Sequence, residues 1–163
     1  MGRKSVRKNK SIYMQVREEK GLTRESASEL IDGISPSRLE KLETGATVMQ
    51  PEDVVLMSRA YKEPMLCNYY CTHECAIGRK EVPALKEKEL PQIAIEMVNA
   101  ASKLNDQCDI ILQIAEDGTV KSDEYRDFAA IKETVDKLVI AARTLKLWLD
   151  KAQATGEVDR ELN

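Results

Sequence analysis

Residues 33–45 read GISPSRLEKLETG and contain the signals for one short helix together with both of its ends. Ser35 followed by Pro36 predicts the start, because a serine side chain caps orphan backbone N–H groups and proline suits the first helical position. Gly45 predicts the end, since glycine adopts the left-handed conformation of a helix C-terminus at little cost. Two leucines fall on one face, with polar and basic residues opposite. A helix this short is unstable alone, so neighbouring segments should pack against it.

The segments on either side predict three more helices. Residues 11–20 place apolar side chains at helical spacing and end before Gly21. Thr23 is suited to cap a second helix, whose buried face would include Ala27. Pro51, with two acidic residues after it, predicts the start of a fourth helix, because acids are favourable at the positive end of the helix dipole. A bundle of four short helices is therefore expected.

Residues 10–62 resemble the Xre-type helix-turn-helix domain of phage repressors. The similarity rests on the Gly-Leu-Thr at residues 21–23, the small Ala27, and the Leu-Glu-Thr-Gly at residues 42–45, whose glutamate would pack inward. The step of eight residues from Ala27 to Ser35 is longer than is usual in repressors, so either the second helix is longer or the turn is looser. The wider chain, with its Cys-rich segment and helical tail, is similar to helix-turn-helix proteins of Gram-positive anaerobes.

The resemblance implies a DNA-binding domain whose third helix, at about residues 35–44, enters the major groove of double-stranded DNA. The contacts would lie on the outer face of that helix and at the start of the second one. The candidate DNA-contacting residues are Ser35, Ser37, Arg38, Lys41 and Arg24. Residues 1–10 are predicted to form a basic arm, which would either neutralise phosphates through Arg3, Lys4, Arg7 and Lys8 or serve only as a solubilising tail. The loop at residues 46–50 has no lysine or arginine, so the phosphate anchor that many repressors carry there is missing.

The composition favours helices and argues against several classes of function. The 163 residues include one Phe and one Trp but many Leu, Ala, Glu and Lys, which suits an all-α fold. Residues 1–62 carry 12 basic and 9 acidic side chains, whereas the remainder carries 13 and 19, so only the N-terminal part suits nucleic acid. No apolar run resembles a membrane span or a signal peptide, which predicts a soluble cytoplasmic protein. A single His, with no phosphate loop or nucleophile motif, argues against an enzyme.

Residues 64–83 contain three evenly spaced cysteines and the single histidine. The candidate metal ligands are Cys67, Cys71, His73 and Cys75, because thiolates and imidazole bind zinc and thiolates also hold iron–sulfur clusters. The four-residue spacing is unusual for zinc, and on a helix it would place the cysteines on one face as small buried side chains. The alternatives are therefore a zinc or iron–sulfur site, or buried or free thiols.

From residue 84 onward the apolar residues repeat in alternating steps of four and three, which is typical of paired helices. One predicted seam comprises Leu90, Ala94, Met97, Ala101, Leu104, Cys108, Ile111 and Ala115. The other comprises Phe128, Ile131, Val135, Leu138, Ala142, Leu145, Leu149 and Ala152. Gly118 and Ser122 between them predict a turn and hence an antiparallel hairpin. Further apolar residues flank both seams, and this excess predicts a homodimer or higher homo-oligomer, or packing on the N-terminal domain.

Together these features predict an all-α chain with a repressor-like helix-turn-helix bundle followed by a long antiparallel helical hairpin. The predicted divisions are a basic arm at 1–10, the DNA-binding domain at 11–63, a Cys-rich connector at 64–83, the hairpin at 84–153 and a polar tail at 154–163. The predicted function is sequence-specific transcriptional regulation of the Xre type. The alternative is a protein-interaction adaptor that uses the helix-turn-helix as a scaffold and binds its partner through the acidic hairpin.

Overall fold

The computed structural model describes residues 10–157, and the all-α prediction is confirmed over that range, which contains no strand. Its helices are α1 (Ile12–Glu19), α2 (Arg24–Leu30), α3 (Pro36–Thr44), α4 (Pro51–Tyr61), α5 (Met65–His73), α6 (Gly78–Glu81), α7 (Leu90–Asp106), α8 (Cys108–Asp117) and α9 (Tyr125–Thr155). The described residues divide into two compact units, the first formed by residues 10–84 and 150–157 and the second by residues 85–149.

In the first unit, α1–α4 form the predicted bundle, and the start and stop signals act as expected. Thr23 caps α2 and Ser35 caps α3, each by accepting a hydrogen bond from a backbone N–H of the first turn. Gly45 ends α3 in the left-handed conformation, with a φ of 74°. The apolar faces of the four helices meet in one core, in which Ala27 and Leu39 have no exposed surface.

The turn between α2 and α3 explains the long step in sequence. The helix α2 ends at Leu30, so the additional residues before Ser35 form a looser turn and not a longer helix. Gly33 adopts a φ of 91° in this turn, a value that favours glycine. The Ser28 hydroxyl donates to the carbonyl oxygen of the buried Ile34 at 2.6 Å, which ties the turn back to α2.

Residues 64–83, predicted as a connector, form α5 and α6 and belong to the first unit. Leu66 on α5 is buried in the same core as the residues of α1–α4. The approach of α6 to α5 is close, since a Cβ added at Gly78 would lie 2.2 Å from the carbonyl oxygen of Cys71. The Cys-rich segment is therefore packed onto the helix-turn-helix bundle.

The second unit contains α7, α8 and most of α9 as a hairpin that turns at Gly118. Its first arm, predicted as one helix, is interrupted at Gln107, which follows an Asn and an Asp that are weak helix formers. Hydrogen bonding to Lys137, together with the charges of Lys137 and Lys103, lowers the pKa of Glu133. Lys103 on α7 therefore lies near enough to Glu133 on α9 for the two charges to interact.

The packed rows of this hairpin differ from the predicted seams. The buried positions are Ile93 and Ala100 on α7, and Thr134, Ala141 and Thr144 on α9. Nine members of the predicted seams are exposed instead: Leu90, Ala94, Ala101, Cys108, Ala115, Phe128, Val135, Ala142 and Leu149. The prediction of these positions is wrong because two adjacent rows on each helix are apolar, and heptad spacing alone does not identify the row that faces the other helix.

Candidate nucleic-acid interface

A buried ion network holds the inner face of α3. The carboxylate of Glu43, whose side chain is fully buried, accepts hydrogen bonds from Arg17 on α1 at 2.5 and 3.0 Å. It also accepts one from Arg24 on α2 at 2.9 Å. Arg17 donates further to the carbonyl oxygen of Leu22 at 2.6 Å. A buried carboxylate requires partners of this kind, so one side chain of α3 orients three helices relative to one another.

The surroundings of this network keep Arg17 charged and the neighbouring Tyr61 neutral. Burial would lower the pKa of Arg17, but the hydrogen bond and charge of Glu43 raise it, so the guanidinium stays charged. Burial and the charge of Glu43 raise the pKa of Tyr61 on α4, so this phenol stays neutral. Its hydroxyl is buried and has no hydrogen-bond partner among residues 10–157.

The outer face of α3 presents the predicted contact residues. Ser37, Arg38 and Lys41 are exposed along the helix. Ser35 is exposed at its start, but its hydroxyl accepts a hydrogen bond from the Arg38 N–H at 3.3 Å and therefore serves first as a cap. Lys41 forms no ion pair within the described part of the chain, so its ammonium group has no protein carboxylate to compete with DNA.

The two predicted arginines, in contrast, are engaged by carboxylates. Arg38 donates from Nη2 to both carboxylate oxygens of Asp53 at 2.8 and 2.9 Å. Besides its bond to Glu43, Arg24 donates from Nη1 to Glu40 at 3.1 Å. These pairs restrain both side chains and offset their charge. A phosphate that approached either arginine would compete with a carboxylate already in place.

The charge around α3 is mixed and has an acidic excess. Residues 24–53 contain three basic and seven acidic side chains. Two of these acids are buried, and the five exposed ones are Glu25, Glu29, Asp32, Glu40 and Glu52. A DNA-binding surface usually carries a positive stripe, and the expected basic face is reduced here to Lys41 and the partly neutralised arginines.

The sequence patterns assigned no role to Arg17 and indicated for Asp53 only an acid at a helix start. The inward packing of Glu43 that the family resemblance implied is confirmed, since this residue is buried. That resemblance was the available signal for Arg17, because a buried glutamate needs a cation from a neighbouring helix. No sequence pattern links Asp53 to Arg38, which are 15 positions apart and meet only through the packing of α3 against α4.

The basic residues Arg3, Lys4, Arg7 and Lys8 of the predicted arm lie outside the described residues. Lys10, which was included in the arm, is attached to α1. Its ammonium group lies 2.6 Å from a carboxylate oxygen of Glu18, and its carbonyl oxygen accepts a hydrogen bond from Gln15 at 2.8 Å. A free basic arm would therefore comprise residues 1–9.

The four candidate metal ligands do not converge in this structure. Cys67, Cys71 and Cys75 are half-buried on and just after α5. The ring of His73 is exposed and stacks on Tyr69 at 4.2 Å, with Nδ1 3.0 Å from the carbonyl oxygen of Tyr69. Among residues 10–157, no group of three or more His, Cys, Asp or Glu side chains is arranged to hold a metal ion. The zinc or iron–sulfur site stays a prediction.

Residues 15–64, which include most of α1 and all of α2–α4, match the family model of a helix-turn-helix domain. No curated protein and no solved structure matches the chain. The match confirms the helix-turn-helix prediction for this part of the chain, and such domains are typical of DNA-binding regulators and not of enzymes. None of the helices between residues 10 and 157 is long and apolar enough to cross a membrane.

Proposed function

We propose that this chain is a sequence-specific transcriptional regulator of the Xre type, with α3 as its recognition helix. The observation that supports this most directly is the two-sided construction of α3. Its inner face is anchored by the buried Leu39 and Glu43, while its outer face presents Ser37, Arg38 and Lys41. Hydrogen-bond donors at defined positions on a rigid helix are what base recognition in the major groove requires.

The ion pair of Arg38 is compatible with this role. The guanidinium group has five N–H donors, and only Nη2 contacts Asp53 among the described residues. The Arg38 side chain is 47% exposed, so Nε and Nη1 can reach a base edge or a phosphate while the carboxylate holds the group in place. Arg24 is similar, because Nη2 is not used in its bonds to Glu40 and Glu43.

Because the interface has an acidic excess, affinity must come partly from elsewhere. The basic residues Arg3, Lys4, Arg7 and Lys8 would add contacts to phosphates that do not depend on sequence. A homodimer formed by the second unit would place two recognition helices on two half-sites and multiply their affinities. In this proposal, the regulator acts in the cytoplasm as a homodimer on double-stranded DNA.

The acidic excess also favours a second candidate, a protein-interaction adaptor built on the helix-turn-helix scaffold. Five exposed acids among residues 24–53 would repel phosphates, and the segment from residue 63 onward is acidic as well. An adaptor would bind no duplex with sequence preference. The two candidates therefore differ in a property that can be measured directly.

Selection of binding sites from a random duplex library, followed by anisotropy titrations with the selected site, tests the proposal. Arg38→Ala and Lys41→Ala should each weaken binding by about 1–3 kcal/mol for a base contact and by less for a phosphate contact. Arg59→Ala, at an exposed arginine of α4, is the control and should bind like wild type. If the double variant of Arg38 and Lys41 binds as tightly as wild type, α3 is not the recognition helix. Enrichment of no duplex would favour the adaptor.

A further inference from the structure

The second unit exposes apolar side chains in ordered rows. We define the inner rows as Ile93, Met97, Ala100, Leu104 and Ile111 on α7 and α8, and Ile131, Thr134, Leu138, Ala141 and Trp148 on α9, all of which are buried or half-buried. The outer rows are Ala94, Val98, Ala101, Cys108 and Leu112 on α7 and α8, and Phe128, Val135, Val139, Ala142 and Leu149 on α9, all of which are exposed. Val98 and Leu112 are exposed by 66% and 65%.

Both outer rows lie on the same side of the hairpin. Eight of the ten outer-row residues directly follow an inner-row residue, as Ala101 follows Ala100 and Val135 follows Thr134. One residue corresponds to a rotation of about 100° around a helix axis. Because α7 and α9 run antiparallel, a rotation in the same sense about each axis turns both rows toward the same side. The two rows therefore form one apolar face, here called the outer face.

The spacing of the outer face indicates what kind of surface would cover it. Phe128, Val135, Ala142 and Leu149 are seven residues apart, and Val139 falls four after Val135. This is the repeat that packs against another helix with the same repeat. Apart from glycine, the residues outside the described range add only Met1, Val6, Val158 and Leu162 as apolar side chains, which are too few to supply such a repeat.

We propose that the outer face binds the same face of a second copy of this chain, so that two hairpins form a four-helix bundle. The proposal deepens the homodimer of the proposed function and rests on it. Charge supports the pairing: Asp109 on α8 and Lys132 on α9 flank the face at similar distances from the turn. If the two-fold axis of the bundle runs parallel to the helices, α9 of one copy packs beside α8 of the other, and each Lys132 would lie near Asp109 of the other copy. Between residues 10 and 157, the 70% exposed Lys132 side chain forms one ion pair, a surface pair with Asp136 at 3.1 Å.

Sedimentation equilibrium of the full chain with one matched pair of variants tests the face. Val135 in the outer row and Ile140 on the opposite side of α9 are equally exposed, at 39% and 38%. Wild type and Ile140→Lys should be dimers at tens of micromolar protein, whereas Val135→Lys should be a monomer with its dissociation constant raised at least 100-fold. Circular dichroism melting of both variants shows whether they remain folded.

A second measurement needs no change to α9. Cys108 is exposed in the outer row, and the other three cysteines are half-buried in the first unit. Alkylation followed by mass spectrometry should slow at Cys108 as the protein concentration rises through the dimerisation range. The rates at Cys67, Cys71 and Cys75 should not change, and they provide the internal control.

The possible outcomes distinguish the outer-face pairing from the homodimer itself. A monomeric wild type with a concentration-independent rate at Cys108 would overturn both the outer-face pairing and the homodimer of the proposed function. A dimer that Val135→Lys leaves intact, with Cys108 unprotected, would overturn the outer face alone. If Val135→Lys fails to fold, the protection of Cys108 decides. The role of α3 is tested separately by Lys41→Ala, which leaves the second unit unchanged.

Discussion

Glu43 and Asp53 are both buried carboxylates that hold arginines in the first unit, yet they hold them in opposite settings. The Glu43 side chain is 0% exposed and its partner Arg17 is 6% exposed, whereas Arg38, the partner of Asp53, is 47% exposed. An ion pair depends strongly on its surroundings, because water weakens the attraction and removes the penalty for leaving one charge unpaired. We call Arg17–Glu43 the inner pair and Arg38–Asp53 the outer pair. The inner pair should therefore govern the stability of the fold, and the outer pair should govern the affinity for DNA.

The largest expected effect comes from breaking the inner pair. Glu43→Ala leaves Arg17 buried without its carboxylate and removes a partner of Arg24. We expect the free energy of unfolding to fall by about 3–5 kcal/mol, measured by urea denaturation. Glu40→Ala is the control on the same helix, since its carboxylate is 59% exposed, and it should cost at most about 1 kcal/mol. Equal losses for the two variants would contradict the division between inner and outer pairs.

The next largest effect should come from the basic residues near the N-terminus, whose contacts to phosphates would not depend on DNA sequence. Removing residues 2–9 deletes Arg3, Lys4, Arg7 and Lys8 but keeps Lys10, which is attached to Glu18. We expect weaker binding to selected and random duplexes alike. The slope of log K against log salt should become shallower by about 0.9 for each phosphate that the arm no longer neutralises. Anisotropy titrations over a range of salt measure both quantities.

The preference for selected over random duplexes distinguishes the role of this arm from that of α3. Lys41→Ala should reduce the difference between selected and random duplexes, whereas removal of the arm should leave that difference unchanged. A salt slope that does not change on removing residues 2–9 would show that the arm does not contact DNA.

The smallest effect is expected from releasing Arg38. Asp53→Asn keeps an oxygen that can accept from the Gln50 N–H but removes the charge opposite Arg38. We expect DNA affinity to rise severalfold, by at most about 1 kcal/mol, because the pair is partly exposed and competes with phosphate. Glu52→Gln removes the same charge from an exposed neighbour and should raise affinity less. Weaker binding by Asp53→Asn would mean that Asp53 orients Arg38 for DNA more than it competes with DNA.

The local parts of the fold could be predicted from the residues. Thr23, Ser35 and Gly45 set the bounds of α2 and α3 because capping depends on bonds within one helical turn. The looseness of the turn at Gly33 was one of two possibilities that the spacing allowed. The family match over residues 15–64 confirms the helix-turn-helix domain that the motifs predicted.

The candidate interface could be predicted only in part. Ser37 and Lys41 lie on the exposed face of α3, as its helical period indicated. That Arg38 and Arg24 are engaged by Asp53 and Glu40 could not be foreseen, because these pairs join different helices. The period of a helix shows which side chains point outward, but it does not show which of them meet a carboxylate from another element.

What the sequence by itself determined is the set of helices and their apolar and polar sides, since these depend on neighbours within about four residues. Tertiary structure alone decided which of two apolar rows packs inside the hairpin, as Thr134 does, and which stays exposed, as Val135 does. It also decided that the Glu43 carboxylate is bound by two arginines. Lys41, in contrast, forms no ion pair among the described residues. The physical reason is that burial and ion pairing depend on distances between helices, which only the packing of the whole chain sets.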